Sequence, residues 1–340
     1  MKQVMRSIAI LVALLACAHR SAEAAACIDV KQCSEWIVHK DGPARSLVYR
    51  TYPLDRPNPA IVRAFVMVHG AGRDADNYFR TAVAAAFLAG ALEDTIVISP
   101  RFASAERGCQ DVLAANEVSW PCTGDSWRSG GAAPKNGALT SYDFADAIVK
   151  KLAAKSVFPN LKAIVVAGHS AGGQFVNRYE MANQVHDTLG VPITYVVANP
   201  SSYAYLDATR PAPSAAGGTE FRAFSDARNC TTYDDWPYGL QRRSGYSGRL
   251  SDDQLKKQLA ARSVTYLVGE YDTLPLAGFD GSCPAMAQGT NRLTRGQAFG
   301  KYVSEKFSAQ HTTTVVPLCG HNARCMFTAD SVLPLIFPKP

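Results

Sequence analysis

The stretch LKAIVVAGHSAGGQFVNRY, residues 161–179, constrains the fold of this 340-residue chain more than any other segment. It opens with an apolar β-branched run at residues 164–166, which is typical of a buried parallel strand. The chain then turns through GHSAGG, and apolar residues return at helical spacing. The pattern therefore predicts a strand, a sharp turn and a helix, with Ser170 at the apex of the turn.

This arrangement of residue types suits a nucleophile. A serine on a sharp turn at the carboxyl end of a strand exposes its hydroxyl, and flanking glycines allow the strand and the helix to approach closely. The amide of Ala171 would then point from a helix N-terminus toward a developing oxyanion. A turn that only packs a helix on a sheet would explain the glycines but not the serine. We therefore interpret Ser170 as the candidate nucleophile.

Residues 1–26 have the pattern of a secretory signal peptide. The apolar run Ile8–Ala18 follows a basic start, is too short to span a bilayer as a helix, and is followed by small residues. We expect cleavage after Ala24 or Ala26 and a secreted or periplasmic protein. An uncleaved anchor and lipoprotein processing at Cys17 are the alternatives.

Export determines how the cysteines are interpreted, because disulfides form in oxidising compartments. Of the nine cysteines, Cys17 belongs to the leader. The disulfide candidates are the remaining ones, Cys27, Cys33, Cys109, Cys122, Cys230, Cys283, Cys319 and Cys325. The sequence leaves their connectivity open, although the pairs 27–33, 109–122 and 319–325 would close short loops and leave Cys230 for Cys283. A zinc site is the competing interpretation, and no C-x2-C or H-x3-5-H spacing supports it.

The charge pattern and the remaining length limit the classes of function and fold. The formal net charge is +6, but the basic residues are scattered rather than grouped with aromatic residues, so we expect no nucleic-acid partner. No segment approaches transmembrane length, so we expect no stable membrane insertion. The length of residues 27–340 suits a single domain. Within it we expect residues 200–250 to form an irregular, lid-like insertion, which is rich in aromatic residues.

Several segments resemble the α/β-hydrolase superfamily. They are HGAGRDADNYF (69–79), GHSAGGQFVNRY (168–179), NPSSY (199–203), SCPAMAQGTNRLTRG (282–296) and GHNARCMF (320–327). They are most similar to a group of secreted, poorly characterised serine hydrolases, and more distantly to polyester depolymerases and feruloyl esterases. Asn322 stands where an aspartate is expected. The resemblance implies an α/β-hydrolase fold: a mostly parallel central sheet with helices on both faces and an irregular cap insertion.

The resemblance also assigns roles at the end of an early strand, Val62–Val68. This strand ends in a His-Gly turn, and in the superfamily the amide after that turn is the second oxyanion donor. Ala71 therefore joins Ala171 in the expected oxyanion hole. We interpret His69 as a residue that holds the turn through side-chain hydrogen bonds rather than as a catalytic one.

The acid and the base follow the nucleophile in chain order, as the superfamily requires. Asp272 comes shortly after the predicted strand Ser263–Gly269, and we prefer it to the rival Glu270; a turn or capping aspartate is the other interpretation. His321 lies in the loop after the last strand, where the superfamily carries its general base. The resemblance thus implies a catalytic triad of Ser170, Asp272 and His321.

The substrate is the least constrained part of the prediction. Trp120, Trp127, Tyr203 and Trp236 lie in long loops and are candidates for a substrate pocket, with ordinary packing as the alternative. We expect hydrolysis of a small-molecule or polymeric carboxylic ester, with no cofactor and no metal site. Acyl transfer or peptide hydrolysis on the same triad, and a non-catalytic binding protein that retains the fold, are the alternatives.

Overall fold

The computed structural model describes residues 25–40, 42–109, 111–122, 126–276 and 278–338. The predicted leader therefore lies outside the described residues up to residue 24, and so does Cys17 with the lipoprotein alternative. Within the described ranges, no helix is long and apolar enough to cross a membrane.

A mostly parallel sheet forms the centre of the protein. The strands of the described chain are β1 (Ser34–Val38), β2 (Arg45–Arg50), β3 (Arg63–Val68), β4 (Thr95–Pro100), β5 (Ala132–Ala133), β6 (Asn136–Thr140), β7 (Ala163–His169), β8 (Ile193–Ala198), β9 (Thr209–Pro213), β10 (Thr219–Ala223), β11 (Ser263–Gly269) and β12 (Thr312–Val316). Eight of these described strands pair in the order β1-β2-β4-β3-β7-β8-β11-β12. The pairs β1–β2 and β2–β4 are antiparallel, and the others are parallel.

The helices of the described chain cover both faces of this sheet. They are α1 (Ala75–Leu88), α2 (Ser141–Leu152), α3 (Ala171–Ala182), α4 (Asp252–Ala261), α5 (Cys283–Met286), α6 (Arg292–Phe307), α7 (Ala323–Thr328) and α8 (Leu333–Ile336). Alternate strand residues enter two separate apolar cores: Val66 packs with α2, α3 and α6, whereas Phe65 packs with α1, α7 and α8. Strands covered on both faces read as continuous apolar runs, as in β4 and β7. The predicted mostly parallel central sheet with helices on both faces is confirmed.

A capping box fixes the start of α2. The N-cap is Thr140, whose side chain accepts a hydrogen bond from the amide of Asp143. Asp143 in turn accepts from the amide of Thr140, so the two residues satisfy each other's backbone donors.

The segment 200–250, expected to be lid-like, packs against the body of the protein. It contains the hairpin of β9 and β10 and several buried aromatic residues. The hydroxyl of Tyr246 donates to the Asp146 carboxylate on α2 at 2.6 Å, and the Tyr205 ring lies 4.5 Å from that of Tyr302 on α6. These contacts hold the segment beside the helices of one core.

Four disulfides join the cysteines in the pairs that loop length favoured. They are Cys27–Cys33, Cys109–Cys122, Cys230–Cys283 and Cys319–Cys325. Their Cα–Cα distances of 5.5, 5.8, 5.8 and 5.7 Å lie in the range that a disulfide requires. Cys230–Cys283 ties the 200–250 segment to the start of α5.

Candidate active site

Ser170 occupies the turn between β7 and α3, which we call the elbow. Its backbone conformation is one that residues with a side chain rarely adopt. Its φ is 58° and its ψ is −118°. Small neighbours allow this turn, because a Cβ on Gly172 would overlap the carbonyl oxygen of Val68 on the adjacent strand β3. Packing from both sides holds this strained conformation, and the conformation points the serine side chain away from the edge of the sheet.

A continuous hydrogen-bonded relay connects Ser170 to an imidazole and a carboxylate. Ser170 Oγ lies 2.9 Å from His321 Nε2, and His321 Nδ1 lies 2.7 Å from Asp272 Oδ2. Because an ionised carboxylate can only accept, Nδ1 carries the proton, and Nε2 is free to accept from the serine hydroxyl. Asp272 is almost fully buried, at 1% exposure. The arrangement can remove a proton from Ser170 and stabilise the resulting imidazolium.

Glu270, the rival acid, lies on the same turn but faces another partner. Its carboxylate accepts a hydrogen bond from the backbone amide of Leu318 at 2.8 Å. This contact fastens the turn after β11 to the loop after β12. Glu270 therefore supports the loop that carries His321, while Asp272 meets the imidazole itself.

The His321 loop is restrained on both sides. The Cys319–Cys325 disulfide encloses it, and the side-chain amide of Asn199 donates to the carbonyl of Gly320 at 3.2 Å. Asn199 also accepts from the amide of Gly269 at 2.8 Å, so it joins the ends of β8, β11 and the loop. Asn322 caps α7 by accepting from the amide of Cys325 at 3.0 Å, which gives this residue a structural role.

The two amides expected to form an oxyanion hole lie beside the serine. Ala171 is the first residue of α3, and Ala71 follows β3, whose Val68 pairs with Gly168 of the elbow strand. As far as the structure describes the chain, neither amide donates to another backbone carbonyl. Amides at a helix N-terminus and in a tight turn are suited to bind negative charge on a substrate oxygen.

His69 contacts the backbone on both sides of its ring. The amide of Phe102 donates to His69 Nε2 at 3.0 Å, so Nδ1 carries the proton and donates to the carbonyl of Gly70 at 2.8 Å. Burial lowers the pKa of His69 to about 3, which keeps the ring neutral. These bonds match the supporting role expected for His69 and fix the turn that presents Ala71.

His169, which immediately precedes the serine, is a second imidazole at the site that the sequence analysis did not consider. Its ring centroid lies 4.7 Å from that of His321, and its Nδ1 lies 3.1 Å from the hydroxyl of Tyr78. Burial lowers its pKa well below the ordinary value, and the nearby His321 and Arg292 act in the same direction. A neutral ring therefore packs against the base without adding charge to it.

The cleft above Ser170 has a volume of about 540 Å³ and a mixed lining. Asp74, Asn77, Tyr78, Asn322 and Arg324 contribute to its walls. A second cleft of about 430 Å³, which reaches Arg101 and Asp111, shares Ala71, Gly72 and Asp74 with the first. The turn after β3 that carries Ala71, where the second oxyanion donor is expected (the oxyanion turn), thus separates two adjoining arms, and the cleft is open.

The four aromatic residues expected to line a pocket lie elsewhere. Trp120, Trp127 and Tyr203 are buried in the apolar core, at 0, 1 and 0% exposure. Trp236 packs against the same core, and its indole N–H donates to the carbonyl of Ser129 at 3.0 Å. None of the four lines the cleft at Ser170 in the described residues, because their loops fold back onto the helices.

The turn after β11 that carries Asp272 (the acid turn) has a buried support that the sequence did not indicate. Arg292, from the first turn of α6, is fully buried between Asp272 and Ser201, and Arg295 is fully buried on the same helix. The spacing NRLTR is usual for an exposed helix face, so the sequence carries no signal that these arginines enter the interior.

Among the described residues, no group of three or more His, Cys, Asp or Glu side chains could hold a metal ion.

The chain is similar to several solved structures. Among solved structures, poly(aspartic acid) hydrolase-1 from Sphingomonas sp. KT-1 has 20% identity and a TM-score of 0.59, over 89% of this chain and 98% of that one. LpqC, a poly(3-hydroxybutyrate) depolymerase from Bordetella parapertussis, has 19% identity and a TM-score of 0.61, over 89% of this chain and 87% of that one. A ferulic acid esterase aligns at 12% identity and a TM-score of 0.44, over 89% and 95%.

No curated protein matches the sequence. At these identities the first two solved structures show a shared fold. The model of the Alpha/beta hydrolase family, however, matches residues 65–332, which include the elbow, the acid turn and the histidine loop. That match spans most of the chain, and the protein therefore belongs to the Alpha/beta hydrolase family.

Proposed function

We propose that the protein is a secreted serine hydrolase that cleaves carboxylic esters through an acyl-enzyme on Ser170. The observation that carries this proposal is the unbroken relay from Ser170 through His321 to Asp272. Four disulfides support export to an oxidising compartment.

The mechanism follows from the proton positions. His321 Nε2 takes the proton of Ser170 while Oγ attacks the ester carbonyl, and Asp272 stabilises the imidazolium. The amides of Ala71 and Ala171 bind the oxyanion, each contributing about 3 kcal/mol to the transition state. His321 returns the proton to the leaving alcohol, and water then repeats the sequence to release the acid.

The lining of the cleft favours substrates with short or polar acyl groups over substrates with long lipid chains. This lining is mixed, and the large aromatic rings of the flanking loops are buried in the core, so they add no apolar wall along which a long alkyl chain could lie. The two adjoining arms leave room for a substrate that continues past the oxyanion turn, as a polymer does. The names of two similar structures, a poly(aspartic acid) hydrolase and a poly(3-hydroxybutyrate) depolymerase, add an amide polymer and an ester polymer to the substrates worth testing.

A substrate panel with a matched inactive variant tests the proposal. Wild type and Ser170→Ala are compared on p-nitrophenyl esters from acetate to palmitate, a feruloyl ester, poly(3-hydroxybutyrate), poly(aspartic acid) and an anilide peptide. We expect hydrolysis of short esters by wild type only. Faster cleavage of the anilide than of any ester would support a peptidase instead, and equal rates in both proteins would refute the assignment.

A further inference from the structure

The carboxylate of Asp272 is held between an imidazole and a guanidinium. Oδ2 faces His321, while Oδ1 lies 3.4 Å from Nη1 of Arg292 on α6. The side chains of Asp272 and Arg292 are 1% and 0% exposed. Both charges therefore interact without the screening that water gives to surface pairs.

A buried carboxylate needs such a partner if it is to remain ionised. Without one, the desolvated acid takes up a proton, and a neutral acid stabilises an imidazolium poorly. The effect is mutual in this pair: burial lowers the pKa of Arg292, and Asp272 is the main influence that opposes this. The guanidinium therefore compensates the carboxylate from the side that the imidazole does not use.

Arg292 is itself held in place by the chain around the acid turn. Its Nε donates to Ser201 Oγ at 2.7 Å, and Ser201 Oγ donates to the carbonyl of Gly278 at 3.0 Å. The amide of Leu293 donates to the backbone carbonyl of Asp272 at 3.3 Å. The first turn of α6 therefore contacts both the backbone carbonyl and the side-chain carboxylate of Asp272.

We propose that Arg292 is a positioning residue, which fixes the Asp272 carboxylate against His321 Nδ1 and keeps it ionised during the reaction. The inference deepens the proposed function and rests on it. Among the triad residues, the described contact of Arg292 is with the Asp272 carboxylate, so it acts on the acid–base pair from behind the acid.

Arg295 offers a matched control one turn along the same helix. It is equally buried, and it donates to the carbonyls of Ser201, Asp280 and Gly289. These contacts hold backbone rather than the Asp272 carboxylate. Substitution of Arg295 therefore removes a buried guanidinium of the same helix without uncovering the acid.

The sign of the pH effect follows from the charges around the pair. Besides Arg292, the acid–base pair is faced by the neutral rings of His169 and Tyr203, by Glu270 on its own turn, and by Asp74 and Arg324 across the cleft. Asp280 and Arg295 lie close to Arg292 itself. The cation of Arg292 opposes added positive charge at the acid–base pair, so its removal should move the acidic limb of the kcat/KM profile to higher pH, by about one pH unit.

The experiment compares Arg292→Met, Arg292→Lys and Arg295→Met with wild type on p-nitrophenyl acetate between about pH 5 and pH 9. For Arg292→Met we expect kcat to fall about 100-fold near pH 6 and about 10-fold near pH 8.5, with little change in KM. Arg292→Lys should restore the position of the acidic limb, because it returns the charge. Arg295→Met should leave the shape of the profile unchanged, whatever it costs in stability.

A second readout does not depend on activity. The far-downfield proton resonance of the His321–Asp272 hydrogen bond should be present in wild type and Arg295→Met, weakened in Arg292→Lys and lost in Arg292→Met. A retained resonance with an unshifted profile in folded Arg292→Met would overturn the proposal. If the resonance follows this pattern while wild type hydrolyses no ester, the positioning role stands and the proposed function fails.

Discussion

The two halves of the candidate site are supported in different ways. Ser170 is held by residues beside it in the chain, since β7, the glycine turn and α3 form one continuous stretch. Asp272 and His321 lie on separate turns that are joined by Glu270, Asn199 and Arg292, from distant parts of the sequence. Local backbone geometry presents Ser170, the proposed nucleophile, whereas long-range polar contacts and a disulfide align Asp272 and His321.

The largest difference is expected between the two carboxylates of the acid turn. Asp272→Asn should lower kcat about 10⁴-fold, because the amide cannot hold the required imidazole tautomer. Glu270→Gln keeps an oxygen that accepts from Leu318 and should stay within about twofold of wild type. Both rates are measured on the same short ester, with folding checked by circular dichroism. A reversed order would assign the acid to Glu270.

Overcrowding the elbow should affect stability as well as activity. The new Cβ of Gly172→Ala overlaps the Val68 carbonyl, so we expect a loss of about 3 kcal/mol in the free energy of unfolding and a misplaced Ser170. Gly281→Ala is the control, because no atom lies within 4 Å of a Cβ at that position. Urea unfolding of both variants checks this. Equal stabilities would mean that the elbow is not as tightly packed as the structure indicates.

A milder change is expected when one long-range support is removed. Asn199 has a φ of 46°, which glycine adopts without strain, so Asn199→Gly removes the side-chain bonds to Gly269 and Gly320 alone. We expect kcat to fall about tenfold and the unfolding free energy to fall by about 1 kcal/mol per hydrogen bond. Steady-state kinetics and urea unfolding measure both. Unchanged kcat would show that the disulfide alone holds the His321 loop.

The same contrast explains how much the sequence could predict. The elbow was recognisable because strand, glycines, serine and helix are contiguous, and Asp272 and His321 followed from their positions after late strands. Arg292 was not recognisable, because its partners Asp272 and Ser201 are remote in sequence and a helix with NRLTR gives no indication of burial. Contacts between distant segments become visible only when the chain is folded.

The positions of the aromatic residues in the long loops could not be predicted from the sequence for a related reason. Trp120 and Trp127 lie in a long irregular stretch, where composition cannot distinguish a pocket wall from a core. The folded chain stacks the ring of Trp127 on that of Phe102 at 5.1 Å, within the apolar core. The energetic gain from burying large apolar rings decides their position.

Covalent labelling shows whether Ser170 is a nucleophile. The folded wild-type protein is incubated with a fluorophosphonate, digested and analysed by mass spectrometry to locate the adduct, with Ser170→Ala and Glu270→Gln in parallel. We expect a single adduct on Ser170 in wild type and Glu270→Gln, and none in Ser170→Ala. An undiminished adduct in Ser170→Ala, or no adduct on folded wild type, would show that Ser170 is not the nucleophile.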